Sequence, residues 1–229
     1  MINYLKNILH RLALSSYYLY QRVKCKFLGL YFVPPNYAFF NNLLYGGVAI
    51  DVGVGDNPDF TLFIINKYNI ESFMVDPTHK HMDKLREFEK QNSLVHYLPL
   101  ALGAKNEEKM FYESQSNVSG SLRKDHINIQ NDSLIAYNVQ VITLNKLLQL
   151  CNNKSIAVMK IDIEGEEYEF VKSVTKNELH RIRQFIIEFH HGIIKNYSIE
   201  DTLQAIKVIE DQGMKSIIYN GRDCLFYWE

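Results

Sequence analysis

At 229 residues, with 47% hydrophobic and 22% charged side chains, the chain has the makeup of a soluble globular protein large enough for one sizeable core. Its formal net charge of −1 and the lack of a recognition motif exclude nucleic acid as the expected partner, and no apolar run approaches the ~20 residues of a membrane-spanning helix. Cys25, Cys151 and Cys224 are scattered and odd in number, with neither a CxxC pair nor zinc spacing, which predicts reduced thiols and a cytoplasmic location.

Charge is unevenly spread. Residues 1–50 carry Lys6, Arg11, Arg22, Lys24 and Lys26 and no acid, a charge of +5, and the remainder carries −6. From Tyr4 to about Lys26 the pattern is helical, with Leu5, Ile8, Leu9, Leu12 and Leu19 near one face. Two readings stand: a helix lying peripherally against an anionic inner-membrane surface or a partner, with Tyr17, Tyr18 and Tyr20 as anchors, or an N-terminal helix packed on the core. Pro34 and Pro35 stop any helix and open an aromatic connection, YFVPPNYAFF, placed to cover a ligand or help form a substrate pocket. Residues 1–45 therefore read as an N-terminal helical extension and connection.

The segment IDVGVGDNPDF, residues 50–60, organises the rest. Val48, Ile50 and Val52 suit a buried strand with Asp51 near its carboxyl end. Gly53 and Gly55 free the backbone to turn and to admit a ligand closely. Asn57 suits an N-cap and Pro58 the first helical position, leaving free N–H groups for an anion. A dinucleotide is disfavoured, because Pro58 replaces the third glycine of GxGxxG, Asp56 adds negative charge, and no Lys or Arg occurs between Asp51 and Lys67. S-adenosylmethionine matches better: Asp51 can face its amine and the turn its carboxylate. A second strand, ESFMVD, ends at Asp76, where an acid reaches ribose hydroxyls.

Strand and helix patterns then alternate without internal repeat, predicting an α/β fold with a mostly parallel sheet over 46–229. THKHMDKLREFEKQ reads as a charged helix with His79 and His81 in a solvated turn, SLVHYLPLA as a strand, KMFYES as a short strand, residues 114–138 as a polar loop region, and NVQVITL then LNKLLQLC as strand and helix. In IAVMKIDIEGEEYEF an apolar strand ends in acids. Asp162 and Glu164, two apart on an extended chain, project from one face, at the strand ends where open parallel sheets bind ligands. A helix is expected from near Glu166. RQFIIEFHHG repeats the theme, with Ile186 and Ile187 leading to Glu188, His190 and His191; a helix from Ile199 to about Gln212 follows, and KSIIYN and CLFYWE form a hairpin around Asn220 and Gly221.

Over roughly residues 46–190 these stretches resemble the FkbM-type methyltransferases, a branch of the class I fold that uses S-adenosylmethionine. IDVGVGDNPDFT resembles the family's first motif, VDPTHKHMDKL its second strand and helix, LALG with SNVSGSL its middle region, and KIDIEGEEYEFVKS its KxDxEGxExxVLxG motif, the most specific match. Val54, Asp56, Pro58 and Asp76 depart from the usual residues. The resemblance implies a Rossmann-like class I fold with an antiparallel C-terminal hairpin. It also implies S-adenosylmethionine as cofactor, held at Asp51, Gly53, Gly55, Asn57, Asp76, Ala101 and Asp162, and O-methylation of a sugar, glycan or natural-product acceptor.

Such a reaction needs a base. His190 or His191 suits by unperturbed pKa, and Asp162 or Glu164 by position; alternatively Asp162, Glu164, Glu188 and His190 bind magnesium or manganese, although a metal-free site is the expectation. Two other classes stay open: a non-catalytic nucleoside-binding or regulatory module, and an NAD-type oxidoreductase.

Overall fold

The computed structural model describes residues 16–130 and 132–229. Helix α1 occupies residues 16–27; the start of the expected helix, from Tyr4, lies outside the described residues. The proline-containing connection folds back on itself as a hairpin of β1 (Tyr31–Val33) and β2 (Tyr37–Phe39). Strand β3 (Val48–Val52) is buried along its whole length, as expected where helices cover both faces of a parallel sheet.

Helix α2 (Asp59–Tyr68) starts one residue later than expected: Pro58 is its N-cap, and Asn57, exposed, spends its side-chain amide on Asp59 Oδ2 at 2.8 Å. Then come β4 (Ser72–Val75), α3 (His79–Gln91) and β5 (Val95–Leu98). The single strand expected over residues 93–101 is broken, because β6 (Ala101–Leu102) leaves for a second sheet. That sheet was not foreseen at this size. It pairs β7 (Glu107–Ser114) antiparallel with β9 (Leu134–Ile142), with β6 and β8 (Gly120–Ser121) at its edges and a short α4 (Ile127–Gln130) between β8 and β9.

The chain re-enters the main sheet through α5 (Leu144–Leu150) and the fully buried β10 (Ile156–Ile161). Helices α6 (Glu167–Ser173) and α7 (Lys176–Leu179) lead to β11 (Gln184–Glu188). In α8 (Ile199–Glu210) a capping box fixes the start: Ser198 Oγ accepts the Asp201 N–H at 3.3 Å, and the Asp201 carboxylate accepts the Ser198 N–H at 2.8 Å. The expected C-terminal hairpin is present as β12 (Lys215–Asn220) and β13 (Asp223–Tyr227).

Seven strands form the main sheet in the order β12-β13-β11-β10-β3-β4-β5, the last five parallel to one another and β13 alone reversed, antiparallel to both β11 and β12. Successive β3 residues feed opposite cores. Ile50 and Val52 pack with α5, α6 and α8, whereas Ala49 packs with α1, the β1–β2 hairpin and α2. Cys25, Phe32, Phe39 and Leu44 thus share a core with the sheet. From β3 the chain steps outward through β4 to β5 and returns on the other side as β10, so strand order reverses between β3 and β10, and a crevice opens there at the carboxyl ends of the strands.

Candidate functional site

The crevice is a cleft with about 860 Å³ of empty space, its open mouth included. Gly53, Gly55, Asp76, Ala101, Asp162 and Glu164 are on its wall, so the turn after β3, the end of β4, the edge of the second sheet and the loop after β10 converge. Tyr37 reaches the wall from β2, as the aromatic connection was placed to do.

The two glycines serve different ends. In parallel register Val52 pairs with Ile161, and the Asp162 N–H donates to Val52 O at 3.0 Å. Gly53, at φ 73°, is therefore pressed on the next loop, and a Cβ there would lie 1.6 Å from the Asp162 carbonyl oxygen. Gly55, at φ 70°, faces open space, which is room for a ligand. Its N–H donates to Asp76 Oδ2 at 2.8 Å, and the other Asp76 oxygen accepts the Thr78 N–H at 2.8 Å. Asp76 is thus held by backbone donors, and each oxygen keeps a lone pair to accept a further bond.

Asp51 and Asn57 do not reach the cleft wall. Asp51 is buried; its Oδ2 accepts from Thr61 Oγ1 at 2.9 Å and its Oδ1 lies 3.6 Å from Lys160 Nζ, so it faces a lysine of this chain where a ligand amine was expected. Burial raises its carboxyl pKa against the pull of Lys160. Sequence reasoning passed over Lys160, which the β3–β10 register sets beside Asp51. Its buried ammonium donates to Gly53 O and lies 3.6 Å from Asp162 Oδ2. Burial pulls its pKa down, but Asp162 and Asp51 outweigh that and hold it above the ordinary lysine value.

Asp162 and Glu164 do converge, by a different route. Strand β10 stops at Ile161, and Glu164 adopts the left-handed backbone at φ 51°, a costly conformation for a non-glycine residue. Ser121 steadies the turn by donating to the Glu164 carbonyl at 2.6 Å. Beside the pair stands His190, almost fully buried. Its Nδ1 is 2.7 Å from Glu167 Oε1, and its Nε2 is 3.3 Å from Glu164 Oε2 and 3.5 Å from Asp162 Oδ1. Burial works to lower its pKa, but Glu167, Asp162 and Glu164 push it up to about 10. Held protonated in this way, His190 donates to these acids and does not offer the free imidazole that, among four candidate bases, it was read to supply.

His191 points away: its Nδ1 is 3.0 Å from Thr202 Oγ1, and burial, Arg222 and His190 lower its pKa. Two partners went unforeseen. Glu167, wholly buried, accepts from His190 and from the Gly165 N–H. His126, wholly buried, lies 2.5 Å through Nε2 from Glu164 Oε2, and its Nδ1 accepts the Asn128 N–H, which places the ring proton on Nε2. His126 sits in the stretch read as polar loop, where neither periodicity nor spacing marked it. His81 is buried rather than solvated, and His79 stacks on Tyr137 with centroids 3.7 Å apart.

One ligand atom from each of Asp162, Glu164 and His190 lies within 4.8 Å of the others. Two carboxylates and an imidazole suit magnesium or manganese. An ion there would displace the Nε2 proton of His190, as metal binding to imidazole requires.

The family model described as the methyltransferase FkbM domain matches residues 13–215. Among curated proteins, none matches the chain in sequence. Solved structures that the chain matches include fibrillarin of Methanococcus jannaschii, at 12% identity, TM-score 0.49, 90% of this chain and 73% of that one. Fibrillarin of Aeropyrum pernix with natively bound S-adenosyl-L-methionine gives 9% identity, TM-score 0.47, and 89% and 72% coverage. The N-terminal domain of human METTL16 with S-adenosylhomocysteine gives 14%, 0.41, 80% and 62%.

Proposed function

Because this chain belongs to the FkbM methyltransferase family and takes its methyl group from S-adenosylmethionine, we propose that it methylates a hydroxyl oxygen of a sugar, glycan or natural-product acceptor. The observation that carries this reading is the meeting of Asp162 and Glu164 on the cleft that the glycine turn also lines, with the buried His190 within 3.5 Å of both. Room beside Gly55 and the buried carboxylate of Asp76 fit the cofactor's methionine and ribose ends. When bound, the cofactor supplies an electrophilic methyl on a sulfonium.

The chain's own part is to place a hydroxyl and take its proton. Asp162 and Glu164 hold the acceptor hydroxyl within hydrogen-bond reach, and Glu164 receives the proton as the oxygen–carbon bond forms. His126 aims the Glu164 carboxylate through its Nε2–H. The His190 imidazolium keeps two adjacent carboxylates charged without mutual repulsion. Hydroxyl recognition by paired acids favours oxygen over an amine as acceptor, since a cationic amine would be held unreactive there.

Calorimetric titration of S-adenosylhomocysteine, with NAD as comparison, followed by transfer of labelled methyl to panels of sugars, lipid-linked glycans and hydroxylated natural products, tests this. Glu164→Gln is expected to lower kcat by about 10²–10⁴, the range for a general base, with S-adenosylhomocysteine affinity unchanged. Methyl transfer to amine but not hydroxyl acceptors would overturn the oxygen assignment. A chelator arm reports whether the Asp162–Glu164–His190 set works with an ion.

A further inference from the structure

Helix α1 is fixed in rotation. Gln21 and Cys25 are buried, the Gln21 amide lies 3.4 Å from Asn220 Oδ1, Lys24 Nζ donates to Tyr219 O at 2.7 Å, and Cys25 shares a cluster with Phe39 and Tyr219. The turn it grips lies between β12 and β13, and Asp223 there pairs with Glu188 at the carboxyl end of β11. The helix therefore sits at the edge of the sheet on which the cleft opens.

Its outward face is apolar. Leu19, Val23 and Phe27 follow at four-residue spacing, with Tyr20 beside them, and they are 64%, 48%, 88% and 62% exposed, respectively. Consecutive positions four apart on a helix form one stripe. Arg22 and Lys26, both exposed, run along one flank, and residues 1–50 contain no acid. Among the described residues, no helix is long and apolar enough to cross a membrane.

We infer that α1 docks the protein on an anionic lipid bilayer, the stripe entering the boundary between headgroups and acyl chains while Arg22 and Lys26 meet lipid phosphates. An apolar stripe flanked by cations is the signature of a helix lying in that interface. A second copy fits the face poorly: a two-fold contact would set Arg22 and Lys26 against the same cations of the other chain.

Flotation with vesicles of equal parts phosphatidylglycerol and phosphatidylcholine, against phosphatidylcholine alone, tests the assignment. The expected result is about thirtyfold tighter binding to the anionic vesicles, from two cations near the surface at about 1 kcal/mol each. Leu19→Asp combined with Phe27→Asp should abolish flotation, and Arg22→Gln with Lys26→Gln should remove the preference for anionic lipid. Both double variants are expected to keep the wild-type circular dichroism and S-adenosylhomocysteine affinity, since all four positions are exposed. Absence of binding to anionic vesicles, equal binding to neutral ones, or unchanged flotation of the aspartate variant overturns the proposal. So does a wild-type dimer in light scattering that the aspartate variant dissolves. None of these readouts depends on the acceptor.

Discussion

Both glycines of the cofactor turn hold positive φ, yet substitution at the two positions should separate stability from binding. Gly53→Ala drives a methyl into the Asp162 carbonyl and is expected to cost more than about 2 kcal/mol, the sum of left-handed strain and a backbone clash, read as a lowered urea midpoint. Gly55→Ala carries only the conformational cost of about 1–2 kcal/mol. Its methyl enters open space in the cleft, so S-adenosylhomocysteine affinity should fall by calorimetry. Asp51 was easy to read as near the turn, but its partner was not: Lys160 lies over a hundred residues away in sequence, and strand register alone brings them together. The same holds for His126 and Glu167, whose roles arise only from tertiary contact.

Titration belongs to this scale too. His190 is held protonated, its pKa raised to about 10. A group whose folded pKa exceeds its unfolded value stabilises fully below the unfolded value, about 6.5 for histidine, and this contribution is lost as pH rises through about 10. Burial also raises Glu188 to about 6 and Asp223 to about 8, with Asp162 adding to each. Raised carboxyls likewise withdraw stability as pH climbs from the ordinary carboxylate range through those values. Urea midpoints are therefore expected to decline steadily from pH 6 to pH 10, and His190→Gln should flatten the upper part of that slope. A rising midpoint across this window would contradict the protonated assignment.

At the scale of elements, Glu164 depends on a strand far from it in sequence. Ser121 of β8 donates to its carbonyl and accepts the Arg123 N–H, so Ser121→Ala should cost about 1–3 kcal/mol, the penalty for stripping a partner from buried polar groups. It should lower kcat several-fold while leaving S-adenosylhomocysteine affinity intact; steady-state kinetics beside calorimetry separates the two. The strands of the main sheet were legible because burial on both faces demands apolar runs, as in VAIDV and IAVMKI, each interrupted by one residue, Asp51 and Lys160, that pair with each other. The second sheet was only half legible: KMFYES and NVQVITL read as extended from their buried later residues, whereas the exposed beginnings of β7 and β9, and the pairing of the two into one sheet, left no alternation to read. The acid pair was found for an incomplete reason, since a left-handed turn, not strand alternation, aims it.

For the molecule as a whole, the aromatic connection is part of the core rather than an appendage. Phe32, Val33, Phe39 and Leu44 are buried with Ala49, Val158 and Ile186, so the boundary at residues 45 and 46 divides motifs and not packing. A chain beginning at residue 46 should lose these contacts, at about 2–5 kcal/mol for each large side chain removed. It is expected to unfold without a cooperative transition, as circular dichroism on heating would reveal. An intact melting transition would mean that the sheet folds without its N-terminal cover.

Tyr37 on the cleft wall is delivered by the hairpin that directly follows α1, and both elements rest in one buried cluster. What seats against the tyrosine ring and what holds the helix press on a single continuous solid. Linkage then makes the traffic two-way: by whatever factor occupancy of the cleft alters attachment at α1, attachment returns the same factor to occupancy.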